Sequence, residues 1–312
     1  MANRIKEKYM AGKRYFDYPM LFLVIFLICF GLVMIYSTSS YKSTVTYGNS
    51  YHWLLRQAVA IVLGAVAMVV CCKLDYRIIK SEKVGNGCYW ASIVLLVLVL
   101  IIGAAKKGAV RWISIAGFQF QPSEVSKILV VIYLANRLSA NAHKIRTFKD
   151  SIVIVLPTVP IIALIVTQNL STALVVCSMI GVMLFVVSPK MKELMLTAGG
   201  GIILLFVYLL TANSYRNERV QIWLHPESHK KGFQTMQALY AIGSGGIFGK
   251  GLGQSMQKMG FIPESHNDMI FSIICEELGL FGAVCLILVF VALIFRMLLI
   301  ALNTEDLFGS LI

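Results

Sequence analysis

Apolar runs long enough to cross a lipid bilayer recur along the whole chain. A spanning helix needs about 20 mostly apolar residues, and only helices and closed barrels satisfy their backbone groups inside a membrane. Only 14% of the 312 residues are charged, whereas a soluble domain carries roughly 25%. The sequence therefore predicts an all-α fold, a polytopic helical membrane protein of about eight spans. The candidate spans are 18–36, 53–72, 88–103, 122–138, 150–167, 172–188, 193–212 and 268–298.

Basic residues follow alternate spans and so predict the orientation of the chain. The net charge of +13 could suggest a nucleic-acid partner, but its distribution follows the positive-inside rule. We therefore predict cytoplasmic termini and no nucleic-acid partner. The basic clusters before the first span and after the second, fourth and sixth spans are Arg4, Lys6, Lys8, Lys13 and Arg14; Lys73, Arg77, Lys80 and Lys83; Arg137, Lys144, Arg146 and Lys149; and Lys190 and Lys192.

The long connection 213–267 separates the last two candidate spans on the predicted outer side. Connections of this length are usually functional or disordered, and the aromatic residues in this one indicate that it packs on the outer membrane face. The chain shows no internal repeat and no domain boundary. We predict one membrane domain over 1–312, with 213–267 as a large extracellular loop within it.

Three carboxylates stand at or inside the last apolar run, where acids are costly to desolvate and usually functional. On a helix, Asp268, Ser272 and Glu276 share one face, with Glu276 roughly 12 Å deeper than Asp268. Asp268 should remain ionised at the interface, as a general base or a metal ligand. Glu276 and Glu277 project about 100° apart, which favours a structural role for at least one of them.

A second polar segment precedes the fourth span. Pro122 suits the first turn of a helix, and Glu124 then lies where the helix dipole favours an acid. Lys127 is three residues further on and near enough to pair with Glu124. The spacing leaves open whether this ion pair stabilises the helix or faces a substrate.

The glycine-rich stretch 243–253 lacks the spacing of a phosphate-binding P-loop. Its backbone N–H groups could approach an anion, with Lys250 adding charge, or it could be a flexible turn. The loop histidines, among them His266, have no zinc-site spacing, which favours a solvated or capping role. Basic residues on the outer side run against the orientation rule, and a phosphate-bearing substrate or lipid headgroups would explain them.

Several motifs, in order along nearly the whole chain, resemble the SEDS proteins (shape, elongation, division and sporulation), the family of FtsW, RodA and SpoVE, and most closely the division type. One motif is Arg111-Trp112 with Gln121-Pro122-Ser123-Glu124 and Lys127. The others are 241–246 with 249–253, 263–268 with 276–279, and more loosely 168–173.

The resemblance implies a peptidoglycan glycosyltransferase of the bacterial cytoplasmic membrane that polymerises lipid II at the outer face, in division or elongation. An acceptor hydroxyl would attack the anomeric carbon of the donor, and the lipid pyrophosphate would leave. Asp268 matches the catalytic aspartate, as base or as ligand of a divalent cation (Mg or Mn), with no organic cofactor. The implied partners are a class B penicillin-binding protein transpeptidase and divisome or elongasome proteins. The implied substrate-binding residues are Arg111, Gln121, Ser123, Glu124, Lys127, Lys250 and His266.

Family members usually have ten spans, whereas this sequence ends at Ile312, where a ninth would begin. The resemblance therefore implies that the last two spans are absent. Two other functions stay open. The chain could transport a polyprenyl-linked precursor, with Asp268 and Glu276 lining the path, or it could be a non-catalytic scaffold that recruits a transpeptidase.

Overall fold

The computed structural model describes residues 16–106, 109–115, 118–145, 147–188, 199–200, 221–229 and 232–312. Ten α-helices are described in these ranges. They are α1 (Tyr18–Tyr47), α2 (His52–Lys73), α3 (Glu82–Ile102), α4 (Pro122–Asn141), α5 (Phe148–Val155), α6 (Val159–Gln168), α7 (Leu170–Val187), α8 (Phe233–Ser244), α9 (Ile270–Asn303) and α10 (Leu307–Leu311).

Six helical stretches of the described chain are long and apolar enough to cross a membrane, which confirms the polytopic helical fold. They are α1, α2, α3, the stretch Lys149–Gln168, α7 and α9. Helix α4 has 20 residues but is not among the six, so the prediction of a span over 122–138 is not confirmed. The predicted span 193–212 lies outside the described residues, apart from 199–200.

Two helices extend into residues that the sequence assigned to loops. Helix α1 continues to Tyr47 and is capped by Gly48, whose φ is 69°, so the predicted loop start at residue 37 was wrong. Its polar last turns bond back to the helix, for example from Thr38 Oγ1 to the Met34 carbonyl at 2.8 Å. Helix α3 begins at Glu82 rather than at residue 88.

A small antiparallel sheet occupies much of the predicted loop 104–121. Its strands are β1 (Ala104–Lys106), β2 (Ala109–Ile115) and β3 (Phe118–Phe120), in the order β1-β2-β3. In the second pairing Ile113 lies opposite Phe120, and the Ile113 side chain is buried. This sheet leads the chain directly into α4.

The chain divides into two compact units, each made of separate stretches of sequence. The first unit comprises 1–70 and 212–300, and the second comprises 71–211 and 301–312. Met34, Ile274 and Leu286 form one buried cluster of the first unit. The larger core of the second unit includes Tyr133, Leu134, Leu138, Ile161, Ile165 and Phe308.

Candidate active site at a broken helix

Asp268 lies in the turn that precedes α9. The helix begins at Ile270, so the prediction that Asp268 shares a helical face with Ser272 and Glu276 was wrong. The side chain of Asp268 is exposed, and no cation or hydrogen-bond donor of the described residues contacts its carboxylate. Asp268 is therefore free to interact with a bound molecule.

The turn that carries Asp268 is fastened to the C-terminal half of α1. Lys42 Nζ donates to the Pro263 carbonyl at 2.7 Å, and Ser265 Oγ donates to the Thr38 carbonyl at 3.3 Å. Within the turn, the backbone N–H groups of Asn267 and Met269 donate to the Glu264 carbonyl. These contacts fix the backbone on both sides of Asp268.

His266 is buried, so of the two predicted roles the solvated one was wrong, and the capping role stays a prediction. Its ring lies 4.7 Å from the Trp53 ring, centroid to centroid. Burial, with a smaller contribution from the Lys42 charge, lowers the pKa of His266. Nδ1 is buried without a hydrogen-bond partner among the described residues. The ring thus supports the turn next to Asp268, and the structure leaves its binding role a prediction.

Helix α9 is broken at Gly279, where φ is 69° and ψ is −169°. A break inside an apolar helix leaves backbone groups unpaired, and in a membrane these need partners from the protein. The glycine-rich stretch supplies them. Lys250 N and Gly251 N donate to the carbonyls of Glu276 and Glu277, and the N–H groups just after the break donate back to carbonyls of the stretch, all at 2.9–3.0 Å.

This backbone pairing requires glycine at three positions. A Cβ atom on Gly249 would collide with the Glu277 carbonyl, and one on Gly279 would collide with the backbone of Gly249. A Cβ atom on Gly245 would collide with the Cys275 carbonyl. The glycines that we considered for anion binding or a flexible turn therefore bring the stretch into backbone contact with α9.

Glu276 is fully buried and is held by the same stretch of chain. Its Oε1 accepts from Lys250 Nζ at 2.7 Å and from the Met256 N–H at 3.2 Å. Its Oε2 accepts from Ser255 Oγ and the Gln257 N–H. Lys250, predicted to contact pyrophosphate, is thus already paired with a carboxylate.

Glu277 is also fully buried, but it faces a different lysine. Its Oε1 accepts from Lys258 Nζ at 2.8 Å and from Ser37 Oγ of α1 at 2.7 Å. Lys258 Nζ also donates to Ser37 Oγ at 3.0 Å. Two adjacent acids therefore bind α9 to two separate partners, although their role in function stays a prediction.

Sequence reasoning missed Lys258 and Ser37 as parts of this arrangement. Lys258 lies in the predicted extracellular loop 213–267, yet its side chain is only 6% exposed. Two acids inside an apolar run require partners, and that signal pointed to a nearby buried cation. Nothing in the sequence selected Lys258 from the other basic residues of the loop.

The remaining predicted site residues belong to the second unit. Glu124 lies in the first turn of α4, and its Oε2 pairs with Lys127 Nζ at 2.8 Å. Gln121 Nε2 donates to Ser123 Oγ at 3.0 Å, and Ser123 is buried. Arg111 lies in β2, but its side chain falls outside the described residues.

The fold and this site define a class: a polytopic helical membrane protein with an exposed carboxylate before a broken helix. The chain belongs to the FtsW/RodA/SpoVE family of cell cycle proteins, whose family model matches residues 18–312. The resemblance seen in the motifs is thereby confirmed.

Similar sequences include the probable peptidoglycan glycosyltransferase FtsW of Geobacter metallireducens. It is 36% identical over 306 residues, which cover 94% of this chain and 79% of that protein. The stage V sporulation protein E of Bacillus subtilis is 34% identical over 306 residues, with 95% of this chain and 82% of that protein covered.

Solved structures show the same fold. A chain from a peptidoglycan synthase complex, solved to describe how polymerization and crosslinking are coordinated, matches with a TM-score of 0.74. It is 28% identical in sequence, and the alignment covers 96% of this chain and 82% of that chain. The rod shape determining protein RodA of Thermus thermophilus matches with a TM-score of 0.66 at 27% identity, covering 96% and 80%.

Proposed function

We propose that the chain is a peptidoglycan glycosyltransferase that polymerises lipid II at the outer face of the bacterial cytoplasmic membrane. One observation carries this proposal: Asp268 is exposed and unpaired among the described residues, on a turn fastened to α1 and followed by the braced helix α9. The family and the names of the similar proteins support it. A division, elongation or sporulation role is compatible with the same chemistry.

Asp268 acts as the general base of the transfer. It takes the proton from the acceptor sugar hydroxyl while that oxygen attacks the anomeric carbon of the donor. The bond from that carbon to the lipid pyrophosphate breaks, and the pyrophosphate leaves with the bonding electrons. An exposed carboxylate without a partner among the described residues suits this step because it has no internal contact to give up.

We propose that a divalent cation would bind beside this carboxylate. Mg²⁺ is usually held by one or two carboxylates together with substrate phosphates and water. No group of three or more acid, histidine or cysteine side chains in the described chain could hold a metal alone, so Asp268 would share the ion with the pyrophosphate. When bound, Mg²⁺ or Mn²⁺ would offset the negative charge that develops on the leaving group.

The other predicted substrate-binding residues are Arg111, Gln121, Ser123, Glu124, Lys127, Lys250 and His266. Lys127 and Lys250 are already paired with carboxylates. Binding of a phosphate group by either lysine would therefore compete with an existing ion pair. We propose that Lys127 contacts pyrophosphate only when its ion pair with Glu124 breaks, and Lys250 only when its ion pair with Glu276 breaks.

The orientation and the partner complete the proposal. The basic clusters support a cytoplasmic N-terminus, and with that orientation Asp268 would lie at the outer face. A class B penicillin-binding protein transpeptidase, together with divisome or elongasome proteins, would then crosslink the glycan strands. The similarity to a chain of a peptidoglycan synthase complex supports such a partner.

The test uses the purified protein, labelled lipid II and Mg²⁺ or Mn²⁺, with glycan strands separated by electrophoresis. Asp268→Asn should lower polymer formation by at least about 100-fold, the lower end of the contribution of general acid–base catalysis. The matched control is Glu264→Gln, which changes a carboxylate in the same turn and should retain most activity.

Two results would count against the proposal. One is full polymerisation by Asp268→Asn. The other is passage of lipid II across vesicle membranes by the unmodified protein while no polymer forms, which would favour the transporter. If the protein neither polymerises nor transports lipid II but still binds a transpeptidase, the scaffold is the correct function.

A further inference from the structure

A polar cavity of about 490 Å³ lies in the second unit, where α3 begins and α4 ends. Thirteen residues of α4 separate Glu124 from Arg137, which at about 1.5 Å per residue is roughly 20 Å. The cavity is therefore at the opposite end of α4 from Ser123 and Glu124. Its charged lining residues are Lys80, Glu82, Arg137 and Lys144.

The cavity is closed on one side by tight packing between α3 and α4. Gly85 lies so close to α4 that an added Cβ would be 3.1 Å from the Asn136 Cβ. Asn136 Nδ2 donates to the Ile79 carbonyl at 2.9 Å and to the Ile132 carbonyl at 3.0 Å. This wall is thus held by the hydrogen bonds of Asn136.

Two cations of the cavity lack a carboxylate partner among the described residues. Arg137 Nη1 donates to the Tyr133 hydroxyl at 3.1 Å, while its Nε is buried without a partner in the same part of the chain. Within the described residues, Lys144 Nζ donates only to the neutral Asn141 Oδ1, at 3.2 Å. These groups can accept an anionic ligand without breaking an ion pair.

The other charges of the cavity leave it positive. Lys80 is paired with Asp306 at 2.5 Å, so its charge is already compensated. Glu82 is the one carboxylate in the lining. It lies in the first turn of α3, where the Ser81 side chain forms no cap hydrogen bond and the helix dipole adds positive potential.

An exposed apolar stripe runs from the cavity along α3. Asn86 lines the cavity, and residues four, eight, eleven and fifteen positions further on lie on the same side of a helix. These residues are apolar and exposed: Trp90 63%, Val94 58%, Val97 37% and Ile101 77%. An amphiphile with its polar end in the cavity would meet apolar surface along the membrane span.

We propose that this cavity binds the phosphate headgroup of an anionic phospholipid, with an acyl chain lying along the α3 stripe. Arg137 and Lys144 neutralise the phosphate, and the cavity lies at the ends of membrane helices, the level of the headgroups. The polar lining selects the headgroup, and the stripe selects a lipid over a soluble phosphate. The proposal is independent of the polymerase function.

Native mass spectrometry of the purified protein with phosphatidylglycerol or phosphatidylcholine tests this site. The unmodified protein should retain phosphatidylglycerol in preference. Arg137→Gln should weaken retention of phosphatidylglycerol about fivefold, since each cation near the membrane surface contributes about a fivefold increase in affinity for an anionic lipid. The double variant Arg137→Gln with Lys144→Gln should weaken it about 25-fold. Arg137→Lys, which keeps the charge, should retain most binding and controls for misfolding of the glutamine variant.

Lys83→Gln is the matched control, because Lys83 lies in the first turn of α3 but does not line the cavity. Equal retention of the two lipids, or an equal loss in the control variant, would overturn the proposal. Displacement of the lipid by millimolar inorganic phosphate would instead assign the cavity to a soluble phosphate and also overturn it.

Discussion

Glu277 and Lys258 form an ion pair that is almost completely removed from water, with side-chain exposures of 0% and 6%. Burying two charges is unfavourable unless further hydrogen bonds satisfy them. Ser37 supplies these by contacting both partners. The arrangement connects α1, the loop that carries Lys258 and α9 through three side chains, so loss of one charge should disturb all three segments.

Lys258→Met should lower the free energy of unfolding by about 3–5 kcal/mol, since it leaves the Glu277 charge buried and unpaired. Glu277→Gln should be destabilising as well, and the double variant should recover part of the loss. Thermal unfolding of the purified protein, followed by fluorescence, provides the measurement. Lys83→Met, at an exposed lysine, should change the value by less than about 0.5 kcal/mol.

A double variant whose loss equals the sum of the two single losses would show that the pair is not coupled. The ion pair seen between Lys258 and Glu277 would then contribute nothing specific. Recovery in the double variant, in contrast, would show that the unpaired charge is the cause of the instability.

The residues that could be identified from sequence are those whose chemistry conflicts with their surroundings. Asp268, Glu276 and Glu277 stand out because acids are rare in apolar runs. Lys258 and Ser37 do not, because a lysine in a loop and a serine at a helix end are ordinary. Their partner Glu277 is 19 residues from Lys258 and 240 from Ser37 along the chain, so only the fold brings them together.

At the scale of elements, the pairing of the glycine-rich stretch with broken α9 determines the local architecture. Four backbone hydrogen bonds join them, two on each side of the break at Gly279. They replace bonds that an unbroken helix would form internally. The stretch therefore acts as an integral part of α9 and holds the helix that follows Asp268.

Gly249→Ala tests this pairing. Its φ of 79° alone would cost a non-glycine residue about 1–3 kcal/mol, and the new Cβ would also displace the Glu277 backbone. We expect a loss of stability of at least that size and a lower rate of lipid II polymerisation. Thermal unfolding and the gel assay of glycan strands measure the two effects.

Gly243→Ala is the control in the same segment, because Gly243 is helical and has no atom within 4 Å of an added Cβ. It should be neutral or slightly stabilising, since alanine favours a helix more than glycine does. Similar losses from both substitutions would mean that the stretch is generally sensitive and that its contact with α9 is unimportant.

Sequence patterns located the elements better than they located their ends and breaks. Pro122 and Glu124 marked the start of α4 correctly, because a helix start has local chemical signals. The break at Gly279 has no such signal, since a single glycine inside an apolar run is compatible with a continuous helix. The start of α9 at Ile270 and the sheet at 104–120 also depend on contacts that periodicity does not contain.

At the scale of the whole molecule, hydropathy and charge predicted a multi-span membrane protein and its orientation, and the described helices confirm the membrane fold. The orientation remains a prediction. The hydrogen bonds between α1 and the turn that carries Asp268 make the orientation testable. The turn before Asp268 is bonded to Thr38 and Lys42 of α1, so Asp268 lies on the same side of the membrane as the turn at Gly48 that follows α1.

Cysteine labelling of intact cells can therefore locate the face that carries Asp268. In a variant lacking all seven native cysteines, which are free, Asn49→Cys should react with a membrane-impermeant maleimide. Lys83→Cys, at the start of α3, should react only after the membrane is opened. The inverse pattern would place Asp268 in the cytoplasm. The polymerisation that we propose occurs at the outer face. The inverse labelling pattern would therefore exclude this proposal, even if the same variants still bound lipid II.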